Sequence, residues 1–235
     1  MHNFLPVLAL VFNAFVWGVS WWPFRQLHGA GVHPLWATAL VFTLAVVGLL
    51  LARPGVFTRT RAYPALWLLA LSSGLTNVAF NWAVTVGDVV RVVLLFYLMP
   101  AWSVLLAWRV LGERPTRMAV VRLVMAFAGV ALVLVPADAS IERMVGHLSG
   151  ADLLALAGGF CFALTNVTLR RLHQLPSESR MLAMFGGGAL MATASACAGL
   201  LAGFVTPVPA LAMGWVVVAL LLATAFLLSN YALQY

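Results

Sequence analysis

The sequence predicts an all-α membrane protein, a polytopic bundle of helices that cross the bilayer. Of its 235 residues, 64% are hydrophobic and only 8% are charged, whereas a soluble domain of this length carries about 25% charged residues. The apolar residues also fall into runs of roughly 20, the length that a helix needs to cross the hydrocarbon core. These two observations exclude a soluble globular protein.

The apolar runs end at clusters of Arg, Pro and Gly, and they predict eight spans. In chain order the spans are 4–22, 34–52, 64–83, 90–111, 118–136, 151–169, 181–204 and 210–231. The connections are short, so we expect one bundle without a soluble domain. The first run lacks a basic leader and a small-residue cleavage site, so we interpret it as a span and not as a signal peptide.

The fourth span is the most informative stretch of the chain. No residue between Arg91 and Arg109 carries a formal charge, and on a helix the two would stand roughly 27 Å apart. Pro100 lies midway and removes the hydrogen bond to the carbonyl of Phe96, which predicts a kinked helix. With Tyr97 just before the kink, the span is expected to face something other than lipid, as in a transporter.

The distribution of charge predicts the orientation of the chain. All 13 basic residues are arginine, and they outnumber the acidic residues to give a net charge of +7. With a cytoplasmic N-terminus, ten arginines fall on the inside and three on the outside, as the positive-inside rule requires. A nucleic-acid partner is not expected, because the arginines are scattered between apolar runs and not gathered on one soluble face. Membrane lipids are therefore the expected surroundings.

Two short similarities indicate an internal repeat. Residues 25–28 (RQLH) match 170–173 (RRLH), and residues 81–83 (NWA) match 230–232 (NYA). The matches fall at corresponding places on corresponding spans, so the repeating unit is five spans long, and an odd number of spans inverts the second copy. We assign 1–136 to the first repeat and 137–235 to an incomplete second one. The natural chain is then expected to continue for two further spans, roughly 50–60 residues.

Four segments carry a resemblance to a known family: FVWGVSWW at 15–22, the block at 81–102, LGERPTR at 111–117 and the run at 150–172. Together they resemble the drug/metabolite transporter superfamily, EamA-type exporters. The resemblance implies ten spans in two inverted five-helix repeats, and export of small metabolites across the bacterial inner membrane. It also implies a central cavity between spans one, three, four, six, eight and nine. Phe162 departs from the family pattern, which often has Trp there, and spans nine and ten are missing.

Polar and aromatic residues inside the spans supply the candidate site, because such residues are costly in lipid and usually face a cavity. The candidate substrate-binding residues are Asn13, Trp17, Ser20, Asn77, Phe80, Asn81, Tyr97, Thr165, Asn166, Asn230 and Tyr231. The alternative is that these side chains simply hydrogen-bond one helix to another.

Asp88, Arg91 and Pro100 are the candidate gate and hinge residues. Arg91 lies roughly 9 Å to the outer side of Tyr97. It could attract a substrate carboxylate, or pair with Asp88 as part of an outer gate. The alternative is an arginine that reaches the lipid interface and does nothing more.

The residues inside the spans favour transport over catalysis. No acid dyad, metal-binding His pair or activated Ser occurs there, so we expect neither an enzyme nor a metal or other cofactor. Aromatics, amides and hydroxyls without a charge at mid-depth suit small neutral or zwitterionic metabolites such as amino acids, exported by alternating access. A non-transporting scaffold, docking through the span-seven glycines (Gly186, Gly187, Gly188, Gly199 and Gly203), is the alternative, and homodimerisation is left open.

Overall fold

A computed structural model describes residues 4–112, 114–134, 149–209 and 213–232, and these residues form helices and no strands. The helices are α1 Leu5–Val19, α2 Trp21–Gly29, α3 Pro34–Ala52, α4 Val56–Arg61, α5 Leu66–Val86, α6 Val89–Phe96, α7 Met99–Leu106, α8 Arg117–Leu134, α9 Gly150–Arg171, α10 Ser177–Leu201 and α11 Met213–Ala232. A π-helical turn, Ala107–Leu111, continues α7.

Six segments of the described chain are long and apolar enough to cross a membrane: Leu5–Gly29, Pro34–Ala52, Val89–Val110, Gly150–Arg171, Ser177–Leu201 and Gly214–Ala232. The prediction of a polytopic all-α membrane protein is confirmed. The other two predicted spans are the helices α5 and α8. Hydroxyl and amide side chains make α5 more polar, yet most of them are buried, because α5 lies among α2, α3, α6, α9 and α10.

Three details differ from the spans that the sequence predicts. The first span continues through α2 to Gly29 and bends at Ser20, where α1 ends and α2 begins. The short helix α4 lies in the connection between the predicted spans 34–52 and 64–83, where no helix was predicted. The seventh span begins at Ser177, four residues before the predicted start at 181, because Glu178 in the first turn suits the positive end of a helix dipole.

The kink in the fourth span lies before Pro100 and not at it. The α6 helix ends at Phe96, Tyr97 and Leu98 leave the helix, and α7 begins at Met99. Pro100 thus occupies the first turn of a new helix, where its missing N–H has no partner to lose. The interruption is therefore a turn of two residues, Tyr97 and Leu98, between two helices of one span.

The helices α5 and α10 meet backbone to backbone. A Cβ added at Gly187 would overlap the carbonyl oxygen of Ala70, and one added at Gly188 would overlap the ring of Phe42 on α3. A Cβ at Gly186 would meet nothing within 4 Å. Two of the three successive glycines therefore permit close helix packing, as small residues do in membrane proteins.

Packing between the two halves of the chain is reciprocal. In the first half, the α1 and α2 pair and the helix α3 all pack on α11 of the second half. In the second half, α9 and α10 both pack on α5 of the first half. The helices α3 and α10 pack on each other. A duplicated unit would give this exchange of partners. The repeat and its inversion stay predictions, since the boundary at 136 lies outside the described residues.

Candidate functional site

A cavity of about 880 Å³ lies between α1, α2, α5, α6, α9, α10 and α11. Eight of the eleven candidate binding residues line it: Asn13, Trp17, Asn77, Phe80, Tyr97, Thr165, Asn166 and Asn230. The sequence thus predicted residues of four helices, and Tyr97 in the turn between α6 and α7, that surround one space. That these residues bind a substrate stays a prediction.

Ser20 and Asn81 do not line the cavity. Ser20 is buried, and its Oγ donates to the carbonyl oxygen of Trp17 at 2.8 Å, at the bend between α1 and α2. Asn81 is fully buried, and its Nδ2 donates to Oγ1 of Thr38 on α3 at 3.3 Å. Both side chains bond within the bundle, Ser20 to its own segment and Asn81 to α3, and neither is among the residues that line the cavity.

Tyr231 also lies away from the cavity. Its hydroxyl accepts a hydrogen bond of 2.9 Å from a terminal guanidinium nitrogen of Arg53, at the end of α3. Its ring packs against the largest hydrophobic cluster of the bundle. Asn230, one residue earlier and turned by about 100° around the helix, faces the cavity instead.

The polar groups that line the cavity differ in whether the described residues supply them with hydrogen-bond partners. Among the described residues, neither the amide of Asn166 nor the hydroxyl of Tyr97 has a hydrogen-bond partner, and the Tyr97 side chain is 54% exposed. The Nδ2 of Asn77 already donates to the carbonyl of Ser73 at 2.8 Å. Asn166 and Tyr97 are therefore the groups most available to a bound molecule.

Aromatic rings that contact one another line part of the cavity. The ring of Phe96 lies 4.6 Å from that of Phe80 and 5.4 Å from that of Phe162. Trp17 stacks on Phe226, with centroids 4.4 Å apart and an interplanar angle of 19°. Phe162, which departs from the usual family residue, thus keeps an aromatic ring at its place.

An ion pair connects α6 to α9 at one end of the cavity. The Nε of Arg91 lies 2.8 Å from Oδ1 of Asp152, a residue that is only 1% exposed. Asp152 also accepts from the backbone N–H of Ser149, which completes a capping box at the start of α9. Asp88 instead caps α6 by accepting from the backbone N–H of Arg91 at 2.8 Å. Asp88, one of the partners considered for Arg91, thus bonds the backbone of Arg91, and the Arg91 guanidinium binds Asp152.

The same end is held by a second arginine. The guanidinium of Arg25 on α2 donates to the carbonyl oxygens of Val84 and Gly87 at 3.2 Å and 2.6 Å. These are the last carbonyls of α5, which a cation stabilises. We call this end, with Arg25, Asp88, Arg91 and Asp152, the Asp88 end.

At the opposite end, which we call the Ser177 end, Arg53 joins three helices. Its Nε lies 3.3 Å from Oε1 of Glu178 on α10, and it also donates to Tyr231 on α11. Each end of the cavity is thus held together by a different ion pair.

Sequence reasoning missed the contribution of α10. Arg180, Met181, Met184 and Phe185 all line the cavity, although the family resemblance did not place the seventh span there. The glycine contact with α5 brings α10 close enough for its first turns to reach the cavity. Pro176 followed by an acidic residue is a helix start signal, and it would have put Arg180 inside the span.

Comparisons with known proteins bear on the family. A solved structure, described as a crystal structure of a protein, has a similar fold, with a TM-score of 0.58. It is 21% identical, over 94% of this chain and 77% of that one. Among curated proteins, none matches the chain. The sequence profile of the EamA-like transporter family matches residues 4–135, which are 132 of the 235 residues. The protein therefore belongs to the EamA-like transporter family, within the drug/metabolite transporter superfamily that its motifs resemble.

Proposed function

We propose that this membrane transporter exports small neutral or zwitterionic metabolites, such as amino acids, across the inner membrane by alternating access. The observation that carries this function is the cavity, which combines aromatic rings with the Asn166 amide and the Tyr97 hydroxyl, two groups without a hydrogen-bond partner among the described residues. Its volume of about 880 Å³ lies within the usual range for small-molecule sites, roughly 300–1,000 Å³.

The side chains that line the cavity are suited to bind the separate parts of an amino acid. The rings of Phe80, Phe96 and Phe162 supply an apolar surface for a side chain. The amide of Asn166 offers both a donor and an acceptor, and the hydroxyl of Tyr97 offers both as well. A molecule with an apolar side chain and two polar groups would satisfy all of these at once.

The two ends of the cavity supply a basis for alternating access. Arg91 and Asp152 join α6 to α9 at the Asp88 end, and Arg53 and Glu178 join α3 to α10 at the Ser177 end. Alternating access requires that one end opens while the other stays closed. With a cytoplasmic N-terminus, the Asp88 end would face outward and the Ser177 end would receive the substrate.

The glycine surface of the scaffold alternative is covered in part by the chain itself. Gly187, Gly188 and Gly199 face Ala70, Phe42 and Val205, so three of the five glycines are unavailable to a partner. Homodimerisation stays a prediction.

An occlusion experiment tests transport through the cavity. The purified protein is reconstituted in vesicles preloaded with radiolabelled amino acids, and efflux is compared with that from protein-free vesicles. Asn166→Trp fills the cavity from an exposed position and should abolish efflux. Leu190→Trp is the matched control, because Leu190 is 58% exposed and lies outside the cavity. Unchanged efflux in Asn166→Trp would mean that the substrate takes another route.

A further inference from the structure

Arg180 places a positive charge at the cavity, and no group in the described part of the chain pairs with that charge. It is partly buried in the second turn of α10 and lines the cavity. Its Nε is buried and has no hydrogen-bond partner among the described residues. Asp88, Asp152 and Glu178 are the acids of the described chain, and none of them lines the cavity.

Each of those acids is engaged elsewhere. Asp88 caps α6, and Asp152 binds Arg91. Glu178 binds Arg53, and it lies two positions from Arg180 on the same helix, a spacing at which side chains do not face each other. The charge on Arg180 thus has no counterion within the described residues.

Other arginines at the helix ends show what a guanidinium requires in this bundle. Arg25 has two carbonyl acceptors, Arg53 has a carboxylate and a hydroxyl, and Arg91 has a carboxylate. A buried donor without an acceptor is costly, and more so when it carries charge. Among the partly buried arginines of the described chain, Arg25, Arg91 and Arg180, the last is therefore the exception, and it lines the cavity.

We propose that Arg180 binds the carboxylate of the transported molecule, so that the cavity selects small carboxylates over neutral molecules that lack one. A guanidinium presents Nε and a terminal nitrogen as a planar fork that fits the two oxygens of a carboxylate. Met181, Met184 and Phe185 follow on the next turns of α10, and they offer an apolar surface to the rest of the molecule. The inference rests on the proposed function and narrows its substrate class.

The test compares three chemical forms of the same side chain. Vesicles containing the protein are preloaded with radiolabelled L-phenylalanine, with 3-phenylpropionate, which lacks the amine, or with L-phenylalaninamide, which lacks the free carboxylate. The corresponding leucine and methionine series complete the panel. Efflux from protein-free vesicles is subtracted, and the half-saturating concentration is measured for each transported compound.

Wild-type protein should transport at least one acid of the panel in preference to its amide. Arg180→Gln should raise the half-saturating concentration of that acid by about ten- to a hundredfold, since a hydrogen bond to a charged group is lost, and should leave amide efflux unchanged. Arg171→Gln is the matched control, because it removes an exposed charge at the neighbouring helix end, outside the cavity. Comparing efflux of the amino acid with efflux of the amine-free acid then shows which of these two classes of carboxylate the wild-type protein prefers.

Equal transport of acids and amides by the wild type would overturn the inference while the proposed function stands. An Arg180→Gln variant that transports the acid with the half-saturating concentration of the wild type would also overturn the inference and leave the proposed function standing. Efflux of no compound in the panel would overturn the proposed function itself, and the inference with it. Thermal unfolding verifies that each variant is folded. If Arg180→Gln does not fold, Arg180→Lys decides, because it keeps the charge but loses the planar fork; an unchanged half-saturating concentration would then overturn the inference.

Discussion

Asn81 and Asn166 show how two amides with similar sequence surroundings come to serve different purposes. Both lie in apolar helices beside other polar residues, and both were candidates for the site. Asn81 is fully buried and bonds to Thr38 of α3, whereas Asn166 faces the cavity without a partner in the described chain. Helical spacing defines the face of a helix, but the neighbouring helix determines whether that face is covered.

Substituting these two asparagines should separate transport from stability. Asn166→Ala should reduce efflux by roughly tenfold, the value of about one hydrogen bond to a substrate, without changing the melting temperature. Asn81→Ala removes a bond between helices and should leave efflux within about twofold of wild type. Efflux assays and thermal unfolding of both purified variants test this. Loss of efflux in Asn81→Ala alone would contradict the site described here.

At the scale of elements, the contact between α5 and α10 depends on one glycine more than on its neighbour. Gly187→Ala places a methyl group against the carbonyl of Ala70, and it should destabilise the protein by about 1–3 kcal/mol, as overpacking does. Gly186→Ala, where a Cβ meets nothing within 4 Å, should be neutral or stabilising. Thermal unfolding in detergent measures the difference between the two. Equal melting temperatures would show that the helices do not approach this closely.

His33, at the start of α3, should make the stability of the folded protein depend on pH. Burial, together with the nearby charge of His28, lowers the pKa of His33, whose neutral Nδ1 accepts from the backbone N–H of Leu35. The unfolded chain then takes up the proton first, near pH 6.5, so stability should fall as the pH drops below that value. Unfolding temperatures between pH 5 and 8 measure this. His33→Asn keeps a capping side chain without titrating, so its unfolding should vary less with pH; an identical profile would refute the assignment.

At the scale of the whole molecule, the Arg91–Asp152 pair should keep the Asp88 end closed. Arg91→Gln leaves the buried Asp152 without its cation, and because the Arg91 side chain is 36% exposed, the cost should be below the roughly 3–5 kcal/mol of a fully buried pair. The end should therefore open more often. Reaction of Val89→Cys, which lines the cavity near this end, with a membrane-impermeant maleimide should become several times faster in a background without Cys161 and Cys197.

Two further variants serve as controls for that experiment. Arg109→Gln removes a charge from the far end of the same span and should leave the labelling rate unchanged. Exchanging the two partners, Arg91→Asp with Asp152→Arg, should restore slow labelling in part. Fast labelling in the exchanged variant, at normal stability, would argue that the pair does not close this end.

Much of the fold followed from the sequence, because the length of an apolar run and its flanking charges are local properties. Residues 34–52 form the helix that their apolar run predicts. The site followed in part, since Asn13, Trp17 and Phe80 lie on faces that the bundle leaves open. Arg180 was assigned to a connection, because in a membrane protein an arginine near the end of a run usually marks topology. Its place in the cavity depends on how closely α10 packs on α5, which no single helix reveals.

The close approach of α5 and α10 at Gly187 limits how the protein can move. Where two backbones touch, no layer of side chains lies between them to rearrange, so the halves can tilt around this contact but cannot separate there. In the alternating access proposed above, this contact would act as a fulcrum, and displacement would grow with distance from it. Spin labels placed across α5 and α10 beside Gly187 should report one fixed distance through the transport cycle, whereas labels at the two mouths should report two.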